Sequence, residues 1–258
     1  MIDSHCHINF IDNGDNPKAI IDDAVRSGVG KIINIGTDLP SSLDSVNLSE
    51  QFKEVYAAVG VHPHDAKTVD EQTIEKLKEL TKREKVVAIG EIGLDYYLDL
   101  SPRKVQKKVF EKQLELAIEL NLPVVIHTRE SFQDTVAIVK NYAPHLAGGV
   151  FHCFPGTVDD AYTIFEMGLI ISVGGIITFK NSKMAKVARE IPLEKVILET
   201  DAPYLTPAPF RGKTNRPALV KYVYVKLAEL KNMPFDEVEK TVDRTCVKLF
   251  SLVETFGD

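Results

Sequence analysis

Short apolar runs alternate with amphipathic helical segments along almost the whole chain, and this alternation limits the possible folds more than any other feature. The strand-like runs are Ile2–His7, Lys31–Ile35, Val55–Val61, Val86–Ile89, Val124–His127, Gly149–His152, Leu169–Val173 and Val196–Glu199. Such short, largely apolar runs bounded by turn residues suit strands buried on both faces. Between them the apolar spacing becomes helical. Pro17–Ser27 places Ile20, Ile21 and Ala24 on one face and ends at Gly28. Further helices are expected over Pro40–Phe52, Glu71–Thr81, Ser131–Tyr142, Val158–Met167 and Lys183–Glu190. Ser101-Pro102 reads as an N-cap and first helical residue for a long helix reaching Glu119, with Phe110, Leu114 and Ala117 inside. Arg216-Pro217 opens another helix, and Phe235, Val238, Val242 and Leu249 mark an extra C-terminal one.

Strand then helix, eight times over, calls for a parallel sheet with helices outside it. Eight units in 258 residues suit an α/β protein of the (β/α)8 TIM barrel type, with residues 1–258 as a single domain. Periodicity alone does not establish closure, so an open doubly wound sheet is the competing arrangement. No glycine-rich dinucleotide fingerprint or phosphate loop follows any strand, which disfavours it.

Residues with ligating side chains fall at one end of these strands. His5 and His7 lie one pleat apart on the same face of the first strand, with Ser4 and Cys6 facing elsewhere. His62 and His64 follow the third strand, Glu91 the fourth, and Asp201 the eighth, while His127 and His152 end the fifth and sixth. Six of the seven histidines therefore occupy C-terminal strand ends, which converge on one mouth in a barrel. Nitrogen and carboxylate donors without thiolate suit Zn, Mn, Fe, Ni or Mg. Six ligands are too many for one open catalytic ion and suit two divalent ions about 3.5–4 Å apart with a shared carboxylate. Glu91 is the candidate bridge, because no lysine ends the fourth strand to supply a carbamate instead. Two such ions acidify water and neutralise charge on a phosphoryl or carbonyl oxygen. Asp201 can act as both ligand and general base.

The segments Asp3-Ser4-His5-Cys6-His7, Gly60-Val61-His62-Pro63-His64, Gly90-Glu91-Ile92-Gly93-Leu94-Asp95, Ile126-His127-Thr128-Arg129, Phe151-His152-Cys153-Phe154 and Glu199-Thr200-Asp201-Ala202-Pro203-Tyr204-Leu205 occur in this order. Together they resemble the TatD family of metal-dependent deoxyribonucleases, within the amidohydrolase-like barrels. The resemblance implies a two-metal hydrolase of DNA phosphodiesters, often a 3′→5′ exonuclease on single strands. It implies that His5, His7, Glu91 and Asp201 hold one ion and Glu91, His127 and His152 the other. His62 and His64 match family histidines near substrate phosphate.

Lys plus Arg is 31 against 37 Asp plus Glu, a net charge of -6, which argues against a nucleic-acid coat protein but not against metal-led phosphate binding. Cys6, Cys153 and Cys246 form no C-x-x-C pair, so neither a disulfide framework nor a zinc knuckle is expected. The chain has no signal-like start and no apolar stretch of membrane-spanning length, so a cytoplasmic protein is expected, its oligomeric state open. The basic loop Phe210–Arg216, Arg211 above all, and Arg129 are candidates for holding phosphates at the mouth. Tyr96, Tyr97 and Phe154 are candidates for stacking a terminal base. Two rival functions remain at this stage. One is an amide or ester hydrolase, such as an aminoacyl-tRNA deacylase, on the same metal pair; the other is a non-catalytic metal-stabilised binding protein.

Overall fold

In the computed structural model, residues 1–11, 14 and 16–253 are described. Eight parallel strands pair in strict chain order. They are β1 (Ile2–Cys6), β2 (Lys31–Ile35), β3 (Val55–Val59), β4 (Val86–Asp95), β5 (Val124–Arg129), β6 (Gly149–Phe151), β7 (Ile170–Val173) and β8 (Val196–Leu198). The segment after β8 returns to β1. Asp201 N–H donates to the His5 carbonyl at 2.9 Å and His7 N–H to the Ala202 carbonyl at 2.7 Å. Lower down, the Ser4 hydroxyl donates to the Leu198 carbonyl, and the buried Asp3 carboxylate accepts from Thr200 N–H and hydroxyl. These bonds close the sheet into a (β/α)8 barrel and dispose of the open-sheet alternative.

Nine α-helices surround it among the described residues: α1 (Pro17–Arg26), α2 (Leu39–Gln51), α3 (Glu71–Leu80), α4 (Arg103–Leu120), α5 (Phe132–Tyr142), α6 (Val158–Glu166), α7 (Lys183–Glu190), α8 (Val220–Lys231) and α9 (Phe235–Phe250). Asn16, Asp38, Asp70 and Thr157 cap α1, α2, α3 and α6 by accepting backbone N–H groups. The expected Ser101 cap is not formed. Pro102 is the flanking residue of α4, and the Ser101 hydroxyl donates to the His64 carbonyl while accepting from Lys67 N–H. Ser101 thus ties the β4–α4 loop to the His62–His64 turn.

Strand alternation divides the apolar side chains into two layers. One large cluster lies between sheet and helices, with Ile32, Val59, Ile126 and Ile171 facing Phe110, Leu114 and Tyr224. A second is built from residues near the strands' N-terminal ends, including Ile2, Ile33, Tyr56, Val87, Val125 and Ile197. Cys246, Phe250 and Leu252 join this second cluster, so the extra C-terminal helix α9 plugs the end of the barrel away from the histidines.

Two irregularities matter for the site. In β1, Asp3 pairs with Ile32 and Cys6 with Asn34, so Ser4 and His5 together oppose Ile33. In β4, Ile89 pairs with Val124 and Ile92 with Ile126, so Gly90 and Glu91 oppose Val125 alone. Each is a β-bulge, which re-aims a side chain without ending the ladder. The fourth strand therefore runs on past Ile89 to Asp95 rather than stopping before Glu91.

Candidate metal centre

The bulge in β4 turns Glu91 into the mouth of the barrel, where its two carboxylate oxygens face different partners. Oε2 lies 3.5 Å from His5 Nε2 and 3.6 Å from His7 Nε2. Asp201 Oδ1 completes this group at 3.7 and 3.6 Å from the same nitrogens, which are themselves 3.2 Å apart. Oε1 of Glu91 lies 2.8 Å from both His127 Nδ1 and His152 Nε2, and those nitrogens are 3.2 Å apart. The rings of His5 and His152 stack at 4.0 Å, setting the two groups side by side.

The distances suit cations rather than direct hydrogen bonds in the first group. Metal–nitrogen and metal–oxygen bonds of about 2.0–2.2 Å place tetrahedral donors about 3.4 Å from one another. The observed separations of 3.2–3.7 Å bracket that value. The second group, at 2.8–3.2 Å, has the tighter spacing of neighbouring ligands in a more crowded shell. His5, His7, Glu91, His127, His152 and Asp201 are thereby brought together as two donor sets with Glu91 common to both.

The buried acids and histidines of the two sets shift one another's ionisation. Burial pushes the Glu91 carboxyl up, but His152, His62 and the hydrogen bonds from His127 and His152 more than offset it and hold it well below the carboxylate range. Asp201 is also held low, against burial, by His7, His5 and His152. Burial pulls His7, His127 and His152 down, yet the facing carboxylates raise all three. His5 and His62 go the other way, lowered by burial and neighbouring histidines.

His62 is buried beside the second donor set, and His64 is half-buried next to it. His62 N–H donates to the Thr37 carbonyl, its Nδ1 accepts from His64 N–H, and its Nε2 is 3.6 Å from Glu91 Oε1. Arg129 lines the same cavity, with its guanidinium centred 3.8 Å from the Tyr97 ring centroid. Arg211 is not among the lining residues; its guanidinium lies 3.8 Å from the centroid of Phe179, which is. Tyr96 is engaged elsewhere, donating to Asp134 at 2.7 Å, and Phe154 is buried, so neither ring offers a free face as expected of a base platform. Tyr97 is exposed.

Two acids had no role in the sequence reading. Asp95 Oδ2 lies 3.0 Å from His127 Nε2 and 3.1 Å from His64 Nε2, while Oδ1 accepts the N–H groups of Tyr97 and Leu98. Glu199, fully buried, accepts from the Ser172 hydroxyl and the Cys153 N–H and lies 3.7 Å from His152 Nδ1. Each stands behind a histidine of the second donor set, where an acid orients the ring. Strand alternation carried the signal for Asp95: continuing β4 past Glu91 returns residue 95 to the same face.

Residues 2–251 match the model of the TatD related DNase family. The chain belongs to that family. Over 253 residues it is 42% identical to YabD of Bacillus subtilis, described as an uncharacterized metal-dependent hydrolase, covering 98% of this chain and 99% of that one. It is 31% identical over 260 residues to the 3′-5′ ssDNA/RNA exonuclease TatD of Pantoea ananatis, covering 98% and 100%. The crystal structure of the TatD homologue YJJV from Escherichia coli superposes with a TM-score of 0.91 at 34% identity, with 98% of each chain covered. This TatD-family protein is therefore a metal-dependent hydrolase. Among its described residues no helix is long and apolar enough to cross a membrane.

Proposed function

We propose that this protein is a cytoplasmic nuclease whose single domain hydrolyses phosphodiester bonds of single-stranded nucleic acid, DNA in the first place, from an exposed 3′ end. The observation that carries this reading is the division of Glu91 between two donor sets. His5, His7, Glu91 and Asp201 would hold one divalent ion, Mg, Mn or Zn, and Glu91, His127 and His152 a second. Such a pair supplies an activated water and neutralises charge on the phosphoryl group.

The chain's own residues do the rest. Asp201 is the proton acceptor for the attacking water. Its side chain is 14% exposed, against 5% for Glu91 and 1% for Asp95, so of these three acids it is the most open to the cavity. Its low pKa keeps it ionised at neutral pH. His62, His64 and Arg129 line the cavity and bind the phosphate before cleavage, and Arg211 supports the edge through Phe179. The name of the Pantoea relative supports a nucleic-acid substrate.

The test is hydrolysis of end-labelled single-stranded oligonucleotides by metal-loaded protein, with EDTA and metal add-back. Activity should vanish with EDTA, return with Mn or Mg, and fall by at least about a thousandfold in Glu91→Gln with the fold retained (removal of a shared bridge costs several kcal/mol of transition-state stabilisation). Turnover of an aminoacyl ester with none of an oligonucleotide would replace this reading by the deacylase one. Undiminished oligonucleotide cleavage by Glu91→Gln would refute the bridge.

A further inference from the structure

The cavity at the barrel mouth has a volume of about 1580 Å3 and does not end at the metal cluster. Small-molecule sites commonly occupy roughly 300–1,000 Å3, so there is room here beyond one nucleotide. The extra space runs between the loop after β6, from Phe154 to Asp159, and the segment from Ile176 through α7 to Glu190.

Three lysines line that far side: Lys180, and Lys183 and Lys186 on α7. Residues three and four apart share a helix face with Cβ atoms about 5–6 Å apart. Accordingly Lys183, Lys186 and Val187 fall on one stripe facing the cavity, and the lysines are exposed while Val187 is buried. None of the three lysines forms an ion pair among the described residues. Lys107, Lys112 and Lys226, on other helices, do pair with carboxylates. Asp159 and Glu190 also line this part of the cavity. Asp159 stands on α6 across from the lysines and Glu190 ends α7. Phe179 contributes an apolar wall just before Lys180.

Resting on the nuclease reading above, we propose that this lysine-lined lobe is the track for the remainder of the nucleic-acid strand, carrying it away from the reacting phosphodiester. Free lysines spaced along a groove with an aromatic wall suit a polyanion that also carries flat bases. An acidic peptide would satisfy the lysines but gain little from Phe179.

The experiment compares metal-loaded wild type with K180Q/K183Q/K186Q on two substrates: a single-stranded oligonucleotide and bis(p-nitrophenyl) phosphate, a diester too short to reach the lobe. The ratio of kcat/KM for oligonucleotide to that for the small diester should fall about tenfold or more. Each phosphate contact to a single strand contributes about 0.7 to the slope of log affinity against log salt. The slope for oligonucleotide cleavage should accordingly become shallower by about 2. An unchanged ratio with an unchanged salt slope would overturn the track while leaving the nuclease reading intact. Wild type that hydrolyses the small diester but no oligonucleotide would overturn the nuclease reading itself. Inhibition of the wild type by polyglutamate as strong as by a non-cleavable oligonucleotide, and lost in the variant, would reassign the lobe to an acidic peptide.

Discussion

Asp95 shows how much one buried carboxylate can organise. With Oδ1 taken by two backbone N–H groups of the β4–α4 loop, its Oδ2 is left for His127 and His64 together. Burial would raise its pKa, but the hydrogen bonds from His127, His64 and Leu98 hold it far below the usual range, so it stays charged. That charge favours a proton on Nε2 of His127, so Nδ1, 2.8 Å from Glu91, is the nitrogen that an ion shared with Glu91 would take. Removing an acid of this kind behind a ligating histidine typically costs about 10–100-fold in metal affinity. Asp95→Asn preserves shape and removes charge. Its Mn isotherm, measured by titration calorimetry, should show the second ion weakened by about that factor while the melting temperature moves by only a few degrees. An isotherm identical to wild type would deny Asp95 this role.

At the scale of elements, β4 is the unusual strand. The bulge at Gly90-Glu91 aims the acid inward, and the ladder to β5 then resumes at Ile92. Gly93 makes the resumption possible. It sits at φ 143°, and a Cβ there would lie 2.0 Å from the His127 carbonyl oxygen. Any side chain must push β5 away, and with it His127. Gly93→Ala should cost about 2–3 kcal/mol from strain and overpacking, a drop of about 5–10 °C in Tm. Calorimetry should also find its metal binding weakened, because the displaced strand carries His127, a proposed ligand. A variant with wild-type Tm and metal affinity would show that β4 and β5 can separate freely.

For the whole molecule, metal, protons and stability are linked. His7, His127 and His152 have raised pKa values in the metal-free protein. A raised histidine contributes stability that is present at low pH and lost as pH rises through its folded value. Metal requires the same rings neutral, so its affinity runs in the opposite sense and grows with pH. Both are expressions of the same deprotonation, and the stabilisation by metal follows its affinity. The difference in Tm between Mn-loaded protein and protein in EDTA should widen from pH 6 toward pH 8.5, each released proton changing affinity by up to tenfold per pH unit. Thermal melts across that range check it, and a gap that narrows with pH would contradict the assignment of these histidines as ligands.

The repeating strand–helix pattern determined a parallel sheet of eight strands with helices outside it, because apolar period and turn chemistry are local properties of the chain, whereas closure into a barrel was decided by the bonds that the segment after β8 makes back to β1. The same pattern put Glu91, Asp201 and six histidines at C-terminal strand ends, and the mouth gathered them. Alternation also anticipated the convergence of His5 and His7. What local pattern could not settle was anything set by pairing between distant segments. The bulge opposite Val125 that splits Glu91 between two donor sets depends on the register of β5 against β4. Ser101 gave up its expected cap because the His64 carbonyl, 37 residues away, competes for its hydroxyl. Asp95 and Glu199 acquired their partners in the same way. Arg211, expected to hold phosphate, lies against Phe179 of the cavity wall, from the segment before α7. Sequence spacing specifies which face a residue occupies; only the packed barrel decides which neighbour stands across from it, since that contact is made by chain far away.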